Sequence, residues 1–364
     1  MALTLHGTVS DNTAVLDRRS AKPIIINGDM AVDQRNAGAS VTAVDNAYQV
    51  DRWRTFSGAA SKFTVQQQTS VVPPFFKNAL KITSSSAYSA AAGEAFALNT
   101  PIEGGSIVNL GFGTANAKYV SLSFLVYSSL TGTFSGSLFN SAWNRSYPFT
   151  YSVSSANTWT TIVVAIPGDT SGTWLTTNGT GLVVNFDIGS GSNWKGSANA
   201  WGAAAYTGVA GSVSIVGTSG ATFYVTGVQL EIGQFDADSI APFQHESFGD
   251  SLLRCQRYYE KTNPATETPG QTDGAVSANW GILNAADSST LVLSMIQWKV
   301  DKRATPTMTF YATDGTSGNL NVNGTNRAVT ASFVGETNLG RISVASGGTA
   351  GNYVAFMYEA AAEL

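Results

Sequence analysis

Cysteine, histidine and charge are all scarce in this chain. A single cysteine, Cys255, excludes an intrachain disulfide and with it a small cysteine-stapled fold. The two histidines, His6 and His245, have no cysteine, further histidine or carboxylate pair at metal-ligand spacing, which argues against a zinc centre. Charged residues make up 12% of the 364, about half the usual share. No run of Lys or Arg exceeds two residues and the net charge is −4, so the clustered cations of a phosphate-binding surface are missing. No apolar stretch approaches the roughly 20 residues that cross a bilayer, and the first residues lack the basic and apolar regions of an export signal. A protein made in a cytosol, yet with an extracellular kind of surface, is the expectation.

Glycine is abundant, at 37 residues, and Ser, Thr and Asn replace the missing charge. Hydrophobic residues reach 43%, enough for packed cores, so low charge does not mean disorder here. A chain of this length exceeds one core of about 250–300 residues and predicts two or three domains.

Period-two alternation dominates. Over Val120–Ser128 the residues Val120, Leu122, Phe124 and Val126 share a face, as alternate side chains do along a strand. Similar segments run over Lys22–Asn27, Val50–Phe56, Lys62–Thr69, Ala79–Thr83, Gly132–Phe139, Thr158–Ile166, Gly181–Ile188, Ser212–Val216 and Thr222–Ile232, with turn residues between them. So many strands predict an all-β chain whose main body is a jelly-roll sandwich. One short amphipathic segment follows, with Gly249-Asp250-Ser251 as its cap and Leu252, Leu253, Gln256 and Tyr259 along one side. Strand patterns then return to the end. The expected organisation is an attachment arm (1–20), the jelly roll (21–245), a linker with a short helix (246–260) and a second, smaller β-sandwich (261–364).

Catalytic patterns are missing. There is no nucleophile elbow, P-loop or dinucleotide fingerprint, and a Ser-His-Asp triad would have to use His6 or His245. Cys255 on its amphipathic segment is expected to pack as a small hydrophobe. Glu94, Glu103 and Glu231 could pair for glycoside hydrolysis only at a suitable separation, which sequence does not give. Asp236-Ala-Asp238 opens like a calcium loop without the glycine and glutamate that complete one. No cofactor is expected; a structural calcium would have to lean on backbone carbonyls.

Aromatic residues are the one chemical resource in supply. Trp143, Tyr147, Trp159, Trp174, Trp194, Trp201 and Tyr206 gather in the later half of the first domain. Within the Gly- and Ser-rich stretch 189–206, Asn193, Trp194, Lys195, Trp201 and Tyr206 are the candidate glycan-binding residues. An indole face stacks on the C–H face of a sugar, while Asn and Lys bond its hydroxyls. Rings in long loops also fold back over sheet edges, and both outcomes remain open at this stage.

Two resemblances follow from ordered motifs. Ile-Ile-Asn27-Gly28-Asp29-Met30, Trp53 and the closing Phe-Tyr-Val-Thr-Gly-Val-Gln-Leu look like the two ends of a carbohydrate-binding-module jelly roll. That family pairs its first and last strands and often holds a structural calcium through acidic residues. Here Thr226-Gly227 stand where an acid is expected, and Asp29 and Asp33 are weak substitutes. The series Asn-Gly-Asp-Met, Asp33-Gln34-Arg35, Val50-Asp51-Arg52-Trp53, Gly227-Val-Gln-Leu-Glu231, Pro242-Phe243, Cys255-Gln-Arg-Tyr-Tyr259 and Arg303-Ala-Thr-Pro306, with the closing Ala-Ala-Glu-Leu, resembles phage and prophage tail-fibre proteins. The resemblance implies a non-catalytic virion fibre or tail-tip protein. Such a protein is homotrimeric, is joined to other virion proteins by its arm and adheres to host surface polysaccharide. The alternatives are a capsid-decorating head fibre or adaptor and, less favoured, a glycan depolymerase.

Overall fold

The computed structural model describes residues 23–272, 278–282, 284–285, 290–292, 296–329, 334–341, 343–345 and 351–364. The arm expected over 1–20 lies outside the described residues, as do parts of Leu291–Trp298, Ala331–Val334 and Ile342–Ala345, three of the later segments whose patterns predict strands.

Among the described residues the structure is all-β apart from one α-helix and short 3₁₀ turns. Fourteen strands build the first body: β1 (Val41–Thr42), β2 (Ala47–Val50), β3 (Trp53–Ser57), β4 (Phe63–Gln68), β5 (Ala79–Ser84), β6 (Phe96–Glu103), β7 (Val120–Ser128), β8 (Gly132–Phe139), β9 (Ser146–Val153), β10 (Thr160–Ile166), β11 (Thr180–Asp187), the short β12 (Lys195–Gly196) and β13 (Gly208–Val209), and β14 (Thr222–Ile232). Two antiparallel six-stranded sheets, ordered β1-β4-β5-β14-β7-β10 and β2-β3-β6-β11-β8-β9, face each other as a jelly-roll sandwich. Alternation decides which side chains go inside. Val120, Leu122, Phe124 and Val126 of β7 are buried against Phe134, Phe186 and Phe223. Phe124 and Phe186 meet edge to face at 4.9 Å. Each such ring contributes roughly 1.5–3 kcal/mol by leaving water.

Several expectations need correction. Lys22–Asn27 is not a strand: its described part bends, with Asn27 at φ 58°. The Asn27 side chain bonds Val32 N, Val32 O and Asp51 O, and so curls the segment instead of extending it. Contact with the last long strand survives through Gly28, whose carbonyl accepts from Val228 N at 2.9 Å. A Cβ at Gly28 would lie 2.2 Å from Val228 O, so only glycine allows this approach. Ser212–Val216 is irregular too, although Ile215 and Val216 still plug the core. Strands β6 and β9 were not expected, because Pro101 and Pro148 interrupt their patterns. Pro148 sits on the edge strand β9, and Pro101 lies beyond the stretch where β6 pairs with β3.

Helix α1 (Phe248–Gln256) starts earlier than its expected cap, because the Ser247 hydroxyl accepts from Asp250 N at 3.1 Å. Its buried side carries Ser251, Cys255 and Gln256. The second, smaller sandwich follows. Its central strand, Tyr353–Ala361, pairs with Tyr259–Lys261, Asn279–Ile282, Thr307–Tyr311 and Asn319–Val322.

Residues from several of the ordered motifs converge where the two bodies meet. Gln34 reaches Asp51 at 2.7 Å and the Tyr259 carbonyl at 3.0 Å. Glu363 takes both Arg35 and Arg52. The Arg52 guanidinium lies 3.7 Å from the Tyr258 ring centre, and that of Arg35 lies 3.8 Å from the Tyr259 ring centre. These residues hold the bodies together and offer no reacting group to solvent.

Candidate functional site

The outer face of the second sheet carries a buried polar row. Trp53, Leu98, Val184 and Leu138 point inward, so Arg54, Asn99, Asn185 and Ser137 point outward on β3, β6, β11 and β8. Register sets these four in a line: Arg54 opposite Asn99, Asn99 opposite Asn185, Asn185 opposite Ser137. Arg54 Nε donates to Asn99 Oδ1 at 3.0 Å, and Asn185 Nδ2 donates to Thr207 O at 2.8 Å. Asn99 Nδ2, Asn185 Oδ1 and Ser137 Oγ are buried with no protein partner. An unpaired buried polar group costs about 1–3 kcal/mol, and here three stand side by side.

Aromatic rings cover the row. Phe56, Ala97, Phe139 and Val183 form a separate apolar cluster on this face. The Trp143 ring bridges Phe56 at 5.5 Å and Phe139 at 5.1 Å, and meets Trp194 edge-on at 6.1 Å. Trp143 keeps 43% of its surface in solvent. Its φ of 57° places a bulky residue in the left-handed region, which costs about 1–2 kcal/mol. Backbone strain of this kind concentrates at ligand clamps.

The β8–β9 hairpin is built to hold that ring. Asn140 Oδ1 accepts from Asn144 N and Arg145 N, and its amide donates to Thr173 O at 3.0 Å. Arg145 then grips the buried Asp169 through two bonds of 2.7 and 2.6 Å. Trp143 is therefore carried on a fixed support.

The residues expected in the 189–206 stretch divide. Asn193 is exposed on the 3₁₀ turn before β12, with its N bonded to Ala92 O. Trp194 joins the Trp143 cluster, its Nε1 bonded to Gly93 O at 2.9 Å. Lys195 pairs with Asp187 at the border of the same face, where Ser135 and Ser212 also bond that carboxylate. Trp201 belongs elsewhere: it packs on Phe112, Tyr147 and Trp174 and donates to Pro167 O at 2.8 Å. Tyr206 lies against Gly196, whose added Cβ would come within 2.3 Å of its ring. The polar row, Phe56, Phe139 and the central position of Trp143 were missed. Asn140-Ser-Ala-Trp-Asn-Arg between two alternating runs is the pattern that could have revealed the last.

Other candidate groups are occupied. Glu94 takes Tyr88 OH and Ala91 N. Glu103 takes Arg257 and Tyr258 OH; burial pushes its carboxyl up, but those bonds and the Arg257 charge outweigh this and hold it below the usual range. Burial pushes the Cys255 thiol far up, so it stays protonated and inert. Asp33 caps the backbone of Arg35, Asn36 and Gly38. Among the described residues no cluster of acids, histidines and cysteine could hold a metal, and no helix is long and apolar enough to cross a membrane.

No family model and no curated protein matches the chain. Solved structures give partial likenesses. One is an enzymatically active domain of bacteriophage CBA120 tailspike protein 4, with TM-score 0.30 and 10% identity over 58% of this chain; the chain spans only 21% of that protein. Another is a family 11 carbohydrate-binding module from Clostridium thermocellum in complex with a mixed-linked tetrasaccharide, with TM-score 0.27 and 12% identity over 54% of this chain and 97% of the other. A third is TmCBM61 in complex with β-1,4-galactotriose, with TM-score 0.30 and 10% identity over 58% of this chain and 99% of the other. Likenesses of this size carry no functional argument, and the case for function rests on the site itself.

Proposed function

We propose that this chain is a non-catalytic virion adhesin, a tail-fibre or tail-tip protein that holds host-surface polysaccharide on the outer face of the second sheet. The observation that carries the reading is the buried line of Asn99, Asn185 and Ser137 beneath Trp143. Sugar hydroxyls both donate and accept, and so match the amide and hydroxyl groups that the protein leaves unpaired, which a sugar reaches when the half-exposed Trp143 ring swings off them. The rings of Trp143 and Trp194 supply the stacking surface, and Asn193 and Lys195 border it. The tail-fibre motifs support the virion assignment, with residues 1–20 attaching the chain to other virion proteins. Three copies would cover the edge strands β1, β2, β9 and β10. They would also multiply a weak site by avidity. A monomeric mass in light scattering at micromolar concentration contradicts the trimer.

The test is adsorption of Trp143→Ala/Trp194→Ala to cells or purified surface polysaccharide of the host. The folded double variant is expected to lose at least tenfold in retention. Retention equal to that of the parent protein removes the reading.

A further inference from the structure

The opposite face of the sandwich carries its own row. On the first sheet Phe63, Val65, Leu80, Ile82, Phe223, Val225, Phe124 and Val126 point inward, so their neighbours point out. Register aligns Gln66 with Lys81, Lys81 with Tyr224 and Tyr224 with Tyr127. Trp159 continues the line just before β10, its ring 5.5 Å from Tyr127. Tyr127 also meets Tyr224 edge to face at 5.0 Å. Four strand positions and the residue leading into β10 span about 19 Å, long enough for several sugar rings.

One end of the row is chemically distinct. Lys81 Nζ stands 5.7 Å from the Tyr224 ring centre. It has no acidic partner among the described residues, whereas Lys195 and Lys302 are both paired. An open cleft of about 380 Å³ lies there, lined by Gly38, Gln66, Gln68, Ser70, Lys81 and Tyr224. Gln66 donates to Gly38 O at 3.0 Å, leaving its carbonyl oxygen to accept a hydroxyl. Half-buried rings at one end and a lone cation in a polar cleft at the other fit a sugar chain that carries negative charge.

We propose that the row from Gln66 to Trp159 is a second polysaccharide-binding surface, selective for linear chains bearing carboxylates, with Lys81 pairing the carboxylate and Tyr127 and Trp159 supporting the adjoining rings. It uses none of the residues of the Trp143 face, and the two sites stand or fall separately. Affinity electrophoresis of the full chain through gels containing polygalacturonate or alginate tests it. At least one polyuronate should retard the parent protein, and raising NaCl from 50 to 500 mM should weaken retardation, since an exposed ion pair is screened. Lys81→Met and Lys81→Gln, both on a strand surface, should each lose at least tenfold in affinity for the polyuronate. Trp143→Ala/Trp194→Ala should keep it, and the Lys81 variants should keep adsorption to the host polysaccharide. Failure of both polyuronates to retard the folded parent overturns the proposal, and so does equal retardation of the Lys81 variants.

Discussion

Ser137 shows at the residue scale how the proposed binding face differs from a core. Its hydroxyl is buried and bonded to nothing in the protein, so Ser137→Ala removes a cost and leaves no partner stranded. The variant is expected to be as stable as the parent or more stable by up to about 1 kcal/mol, while glycan affinity falls roughly five- to tenfold. Thermal melts and binding isotherms on the same preparation check both halves. A variant that is destabilised while its affinity is unchanged would show the hydroxyl to be structural.

At the scale of elements, alternation made most of the sandwich legible in the sequence. Val120–Ser128, Gly132–Phe139 and Thr222–Ile232 have the bounds that their period-two patterns predict. The pattern failed where backbone bonding overrode it. Lys22–Asn27 reads as a strand, but Asn27 spends its amide on Val32 and Asp51 and bends the segment. Proline hid β6 and β9. The candidate site was legible only in part, for a physical reason: Arg54, Asn99, Asn185 and Ser137 become one row only through the register of four strands, and no local window holds that register. Trp194 was visible as an aromatic in a polar loop. Trp201 looked the same in sequence, and only packing on Trp174 and Phe112 separates the two.

At the scale of the whole molecule, Gln34, Arg35, Asp51 and Arg52 from the ordered motifs act as fasteners between the two bodies. Asp51 lies at the centre of the junction, accepting from Gln34 N and Nε2. Burial pushes its carboxyl up to about 6, against the pull of Arg35 and the Gln34 bonds. A folded-state value above the ordinary one means that the folded protein holds the proton more tightly than the unfolded chain. Stability from this group is therefore greatest below about pH 4 and falls as pH rises through about 6, by a total on the order of 2–3 kcal/mol. Asp51→Asn lacks that titration, so the melting curves of parent and variant should converge or cross between pH 4 and 7; parallel curves would contradict the assignment.

Adhesion through the second sheet is most directly tested by fluorine NMR of the 5-fluorotryptophan-labelled protein titrated with oligosaccharide from the host surface. The resonances of Trp143 and Trp194, assigned by single substitution, are predicted to shift or broaden, while those of the core residues Trp53 and Trp298 stay in place. Saturable binding that leaves both Trp143 and Trp194 unperturbed would contradict the account.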